Sequence, residues 1–301
     1  MKKIQSFFVL LVCIVSTAAH AQNITDLKNR INEVLEGKEA TVGISIAGMN
    51  PQDTLSIHGE KKLPMQSVYK FHLALTVLNQ VAEGKLSLED TYEITPKHLD
   101  NSLWSVIRKK YPNGGRLSLA DIVTYTVANS DNVGCDLLFD VIGGTKVANT
   151  YMHQMGISNV AIKDKEEMIQ SNWELQYKNW TTPNSATKVL KTFYENKHQE
   201  LSSTHHAFIW DVMKKSWSRD ISMKTYLPEN TVIAHKTGYS GKNDNGLIGA
   251  QNDIGILFLP DDRYFYLSIF ITNSKETSEV NQKLIADITK FTYAFFEHRN
   301  H

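Results

Sequence analysis

Three short clusters in this chain carry side chains that could act together on a carbonyl. Ser67-Val68-Tyr69-Lys70 follows Pro64 and opens an apolar stretch. On a helix, a spacing of three puts Ser67 and Lys70 on one face, about one turn apart. A serine hydroxyl is a weak nucleophile until a base lies within hydrogen-bond reach. A lysine becomes such a base once burial or a neighbouring cation lowers its pKa. Ser130-Asp131-Asn132 stands between two helical stretches, and these three residue types also suit a helix N-cap. Lys236-Thr237-Gly238 ends the strand-like run Val232-Ile233-Ala234-His235. A cation and a hydroxyl there can hold a carboxylate while the glycine lets backbone lie close to it. Taken singly, each cluster also reads as ordinary structure: a capped helix with a solvated lysine, a turn, a strand end.

The elements that must position these clusters follow from the hydrophobic period. Leu27, Ile31, Val34 and Leu35 mark an amphipathic helix that Gly37 ends. Residues 41–46 and 54–57 alternate as strands, with a turn through Asn50-Pro51. A helix is expected over 68–81, closed by Gly84, and another over 119–128, capped by Ser118. Helices follow over 131–141, ended by Gly143-Gly144, and over 145–155, ended by Gly156. Residues 158–181 have no clean period, and so long a loop in a compact chain usually carries function. Thr182-Pro183 starts the next helix, and a further one covers 203–215. Residues 231–237, 246–259 and 263–272 read as strands, the last two joined by Pro260-Asp261-Asp262. A terminal helix spans 278–297. This order predicts an α/β (α+β) fold. One antiparallel five-stranded sheet is flanked by the terminal helices and interrupted by an inserted all-helical lobe. The α/β lobe would comprise 22–62 and 219–301, and the helical lobe 63–218. The crevice between them is the expected site.

The three clusters in this order resemble the signature of penicillin-recognising serine enzymes. The chain resembles the class A serine β-lactamases over essentially its whole length after the leader. Within the irregular loop, Glu166-Glu167-Met168-Ile169-Gln170 is similar to the class A pattern of a glutamate, an apolar residue three later and then usually Asn. Gln170 departs from that Asn, and Glu167 competes with Glu166 for the glutamate's role. Gln176-Tyr177-Lys178-Asn179-Trp180-Thr181 resembles a divergent branch that includes the PER and CfxA types.

The resemblance implies a hydrolase that opens the β-lactam amide of penicillins and cephalosporins and confers resistance to them. Ser67 would attack the carbonyl, with its own backbone N–H and that of Tyr239 as oxyanion donors. Lys70, or Glu166 through a water, would take the Ser67 proton, and both stay open as the acylation base. Ser130 would pass a proton to the lactam nitrogen. Asn132 would hold the substrate's amide. Lys236 and Thr237 would hold its carboxylate, with Ser240 as a helper and Gly238 giving close approach. Glu166 would activate the deacylating water. Trp104 would wall the site, or else serve as a core tryptophan. A DD-peptidase and a β-lactam sensor share the three clusters, and the loop glutamate disfavours both.

Composition narrows the partners. Thirty-two basic residues balance 32 acidic ones in 301, and no basic patch stands out. Nucleic acid and anionic membranes are therefore poor partners. Lys2 and Lys3, the apolar run 7–15 and Ala19-His20-Ala21 have the build of a secretory signal peptide over 1–21. The apolar run is too short to span a bilayer. The exported chain would start at Gln22 and work as a monomer in the periplasm or the medium. Cys13 would leave with the leader, so Cys135 has no disulfide partner and reads as a buried structural thiol. No histidine spacing suits a metal, and no cofactor is implied.

Overall fold

The computed structural model describes residues 23–99, 103–216 and 223–299. The expected leader at 1–21 and the lobe junction near 219 lie outside the described residues. The chain opens with α1 (Ile24–Leu35), started by a capping box between Asn23 and Asp26. β1 (Thr41–Ala47) and β2 (Thr54–Ile57) follow as a hairpin. The middle runs through β3 (Leu63–Pro64), α2 (Tyr69–Ala82), β4 (Thr91–Ile94), α3 (Pro96–Leu99), α4 (Val106–Lys110) and β5 (Gly115–Ser118). It continues with α5 (Leu119–Ala128), α6 (Asn132–Ile142), α7 (Thr145–Gln154), β6 (Val160–Ala161), α8 (Glu166–Ser171), β7 (Trp180–Thr181), α9 (Pro183–Glu195) and α10 (Ser203–Lys214). β8 (Ile233–Tyr239), β9 (Ile248–Phe258), β10 (Tyr264–Ser274) and α11 (Ser278–Glu297) close the chain.

The last three strands pair with the first two in one antiparallel sheet, ordered β2-β1-β10-β9-β8. This is the five-stranded sheet expected from the sequence. Side chains alternate between its faces, so the sheet feeds two cores. Ile44, Ile46, Leu267 and Ile269 pack with Leu27 and Ile31 of α1 and Leu284 and Ile288 of α11. Ala234, Ile254, Ile256, Tyr266 and Phe270 point the other way, into the core shared with α2, α5, α6, α9 and α10. Every residue of α2 from Tyr69 to Leu78 is buried. A helix buried all round is fixed from every side. Each large apolar side chain it buries contributes about 1.5–3 kcal/mol.

The structure departs from expectation in two places. The inserted part is not wholly helical: β4 pairs with β5, and β3, β7 and β6 form a small ribbon. Strands of two residues leave no period to read. β8 also runs past Thr237, pairing Gly238 with Asn252 and Tyr239 with Gln251. A Cβ on Gly238 would sit 2.6 Å from the Met65 carbonyl oxygen, so the glycine is required by close packing within the strand. Among the described residues no helix is long and apolar enough to cross a membrane.

Candidate active site

Ser67 sits in a single 3-10 turn, Gln66–Val68, that leads into α2. The segment before it is pinned to the sheet. Asn252 Nδ2 donates to the carbonyls of Pro64 at 2.8 Å and Met65 at 3.1 Å. A Cβ on Gly238 would lie 3.2 Å from the Ser67 nitrogen, so β8 runs directly against the nucleophile's backbone. Gln66 holds φ at 47°, in the left-handed region that non-glycine residues avoid.

One turn on, Lys70 is fully buried. Its Nζ donates to the Ser130 carbonyl at 2.9 Å and to Asn132 Oδ1, and lies 3.2 Å from Glu166 Oε1. Ser130 also has a left-handed backbone, φ 56°. Its hydroxyl accepts from Lys236 Nζ at 3.1 Å, and the same Nζ donates to the Thr237 carbonyl at 2.9 Å. Lys236 is buried, and that burial together with the positive charge of Lys70 pushes its pKa down to about 7.

The Ser-Asp-Asn cluster divides its labour. Ser130 and Asn132 meet the two lysines. Asp131 is instead the N-cap of α6, accepting from the Gly134 nitrogen at 2.8 Å. Its other oxygen accepts from Ser105 Oγ and from the backbone of Val106 and Ile107, tying α4 to α6. The N-cap reading of this cluster therefore holds for Asp131.

Glu166 opens α8 and is 1% exposed, whereas Glu167 beside it is exposed. Glu166 Oε1 accepts from the Tyr69 hydroxyl at 2.7 Å, and Oε2 accepts from Gln170 Nε2 at 3.4 Å. Between the two glutamates, the structure joins only Glu166 to the cluster. Asp136 of α6 receives the backbone N–H groups of Glu166 at 2.7 Å and Glu167 at 2.9 Å, so it caps α8. Burial lifts the Asp136 carboxyl to about 6, against the pull of those N–H groups. Cys135 is buried beside Tyr69, and burial pushes its thiol well up, as suits a structural role.

The outer residues are placed as follows. Thr237 is half-buried and the Tyr239 side chain is exposed. The Ser240 hydroxyl accepts from the Ala250 nitrogen at 3.0 Å and donates to the Gly241 carbonyl at 2.8 Å, closing its own turn. Trp104 is half-buried rather than a core residue. Its carbonyl accepts from the Asn132 nitrogen at 3.1 Å, and Lys109 Nζ lies 4.0 Å above its ring. A cleft of about 290 Å³ opens beside the cluster, lined by Gln66, Ile169, Gln170, Trp173, Gln176 and Ser240.

Several supporting residues were given no role by the sequence. Asn179 is fully buried. Its Oδ1 accepts from the nitrogens of Lys163 at 2.7 Å and Asp164 at 3.0 Å, and its Nδ2 donates to the Asp164 carbonyl at 2.8 Å. Its own carbonyl accepts from the Met65 nitrogen at 2.9 Å, two residues before Ser67. Tyr69, Asp136 and Asn252 likewise act only through partners distant in sequence.

A family model described as the β-lactamase enzyme family matches residues 26–296. The chain belongs to the β-lactamase enzyme family. This β-lactamase is 40% identical over 297 residues to the β-lactamase VEB-1 of Pseudomonas aeruginosa, covering 98% of this chain and 99% of that one. It is 39% identical over 271 residues to the extended-spectrum β-lactamase PER-1 of the same organism, covering 89% and 87%. The crystal structure of the TLA-1 extended-spectrum β-lactamase superposes with a TM-score of 0.88 at 37% identity, covering 91% of this chain and 99% of that one. The β-lactamase is a class A hydrolase, and the resemblance to the PER type is borne out.

Proposed function

We propose that Ser67 is the nucleophile and forms an acyl-enzyme with the opened lactam. Lys70 takes the Ser67 proton, in a buried site where its Nζ lies 3.2 Å from Glu166 Oε1. Ser130, tied to Lys236, returns a proton to the leaving nitrogen. The backbone N–H groups of Ser67 and Tyr239 hold the oxyanion. Lys236 and Thr237 hold the substrate carboxylate, Asn132 holds its amide, and Trp104 walls the rim. Ser240 contributes by shaping the turn beyond Gly238. Glu166 then activates the water that deacylates Ser67. The observation that carries this reading is the buried glutamate beside Lys70, because a long-lived acyl-enzyme needs no such base.

The substrates in this reading include cephalosporins with bulky acyl side chains. The cleft beside Gln66 supports this, as does the extended-spectrum activity named for PER-1. The enzyme is exported by the leader at 1–21, acts in the periplasm as a monomer and confers β-lactam resistance. The lobes of 22–62 with 219–301 and of 63–218 would meet at the site, consistent with separate cores on the two faces of the sheet.

Intact-mass spectrometry of residues 22–301 mixed with benzylpenicillin, with lactam absorbance followed in parallel, tests the reading. Rapid lactam loss with little lasting adduct is expected. Ser67→Ala should abolish labelling and cut turnover by roughly 10³-fold or more. Labelling that persists in that variant would remove Ser67 as the nucleophile. A long-lived adduct in the unsubstituted chain would instead make it a peptidase or sensor.

A further inference from the structure

The loop that carries Glu166 touches the nucleophile's own segment through two buried amides. Gln66, the residue before Ser67, is 5% exposed, and Gln176 is 2% exposed. Gln66 Nε2 donates to Gln176 Oε1 at 2.9 Å. Gln176 Nε2 donates in turn to the Trp173 carbonyl at 2.8 Å, within the 3-10 segment Trp173–Lys178 that follows α8. The Gln176 amide rests on the backbone of β9. A Cβ on Gly249 would lie 2.4 Å from Gln176 Oε1 and 2.8 Å from its Cδ and Nε2, so no larger residue fits beneath it. Gln66 itself is held in the left-handed region at φ 47°. A backbone kept there against its preference persists only where its surroundings fix it, and the side-chain hydrogen bond to Gln176 is one such restraint.

We propose that Gln66 and Gln176 form a positioning latch, seated on Gly249, that holds the Glu166 loop in register with Ser67 and thereby governs deacylation more than acylation. The proposal rests on the roles given above to Ser67 and Glu166. Neither glutamine touches the Lys70–Ser130–Lys236 cluster in the bonds described, so the latch acts on the chemistry through the placement of Glu166. A buried hydrogen bond whose partner is removed leaves an amide unsatisfied, at a cost of about 1–3 kcal/mol. That cost falls on the seated position of the loop.

The test is pre-steady-state acylation and deacylation of the full exported chain with benzylpenicillin, read by quench and intact mass. Gln176→Met keeps side-chain length and removes the amide. It should slow deacylation roughly tenfold and leave acylation within about twofold. Gly249→Ala should do the same by pushing the amide off its seat without changing the loop. Gln176→Glu keeps an acceptor for Gln66 but sets a buried carboxylate against the Trp173 carbonyl, so it should slow deacylation at least as much as Gln176→Met. In a double-mutant cycle, Gln66→Met added to Gln176→Met should cost little further deacylation, because the bond is already gone. Equal slowing of both steps, or effects of the two substitutions that multiply, would overturn the latch. No Ser67 adduct trapped by rapid quench in either the unsubstituted chain or Gln176→Met would overturn the underlying reading itself.

Discussion

The two walls of the site are built by different means. Lys70 stands on α2, buried on all sides, Asn132 opens α6, and Lys236 stands within β8, paired along its length with β9. Ser67 and Ser130 sit at the entrances of those two helices. Opposite them, Glu166 stands on α8, a helix of six residues in a segment whose strands have two residues each. The first wall spreads its positional load over two hydrophobic cores. The second hangs on a few polar side chains: Asp136 at the start of α8, Asn179 at the loop's neck and Gln176 on β9. A net hydrogen bond contributes about 0.5–1.5 kcal/mol, so a single deletion on the second wall removes a real share of what holds it. The wall that attacks the lactam is thus robust, and the wall that releases the product is the one a point mutation can loosen.

Separating the walls should give the largest effect. Glu166→Gln keeps the shape of the side chain and removes the base. The variant should still acylate, and deacylation should slow by roughly 10²–10⁴-fold, the usual worth of a positioned general base. Intact mass would then show Ser67 fully acylated at steady state. Normal turnover in Glu166→Gln would move the base elsewhere and dissolve the functional contrast between the walls.

The pH dependence sharpens the comparison from the robust side. Lys236 has its pKa lowered to about 7 by burial and by Lys70. Only its protonated form attracts a substrate carboxylate, so kcat/KM should fall above pH 7, approaching roughly tenfold per unit. A bound anion favours the charged lysine, so kcat should fall later. Lys236→Arg should flatten the fall, since a guanidinium stays charged. The contribution to stability has the opposite sense. The folded pKa near 7 lies below the ordinary 10.5, so the unfolded chain binds the extra proton between those values. The stabilising term is complete above about pH 10.5 and is lost as pH falls through about 7. A flat kcat/KM profile would show that Lys236 stays charged and that its burial does not tune binding.

The sequence revealed the two walls unequally, for the same reason that they differ in build. Lys70 lies on α2 and Lys236 with Thr237 on β8, whose apolar runs mark a helix and a strand, and Ser67 stands in the turn that leads into α2. The caps Ser118 and Thr182, and the terminal helix at 278–297, are also local signals, and they match the structure. The loop wall depends on contacts between residues far apart in the chain. Asp136 receives backbone groups 30 residues away, and Gln66 bonds a residue 110 away. Neither pairing leaves a period, and the stretch that begins at Gln176 does not point to Gln66. Gly238 shows the same limit: the expected strand stopped at Thr237, and the Met65 carbonyl that requires a glycine there lies far away in the chain.

The loop's neck offers the gentlest test of the contrast. Asn179→Ala removes three hydrogen bonds and leaves the nitrogens of Lys163 and Asp164 without their acceptor. The cost should be about 1–3 kcal/mol. Because the polar contacts of the loop are few and those of α2 are reinforced by a core, that cost should appear first as local opening. Limited proteolysis should cut within 159–181 while the rest of the chain stays resistant, and deacylation should slow several-fold with acylation little changed. Asn179→Asp keeps the acceptors and loses only the donor to the Asp164 carbonyl, so it should fall between the two. Simultaneous cleavage in α2 and the loop would mean that the neck supports the whole inserted part. The two walls would then share one stability, and the division of labour between attack and release would have to rest on chemistry alone.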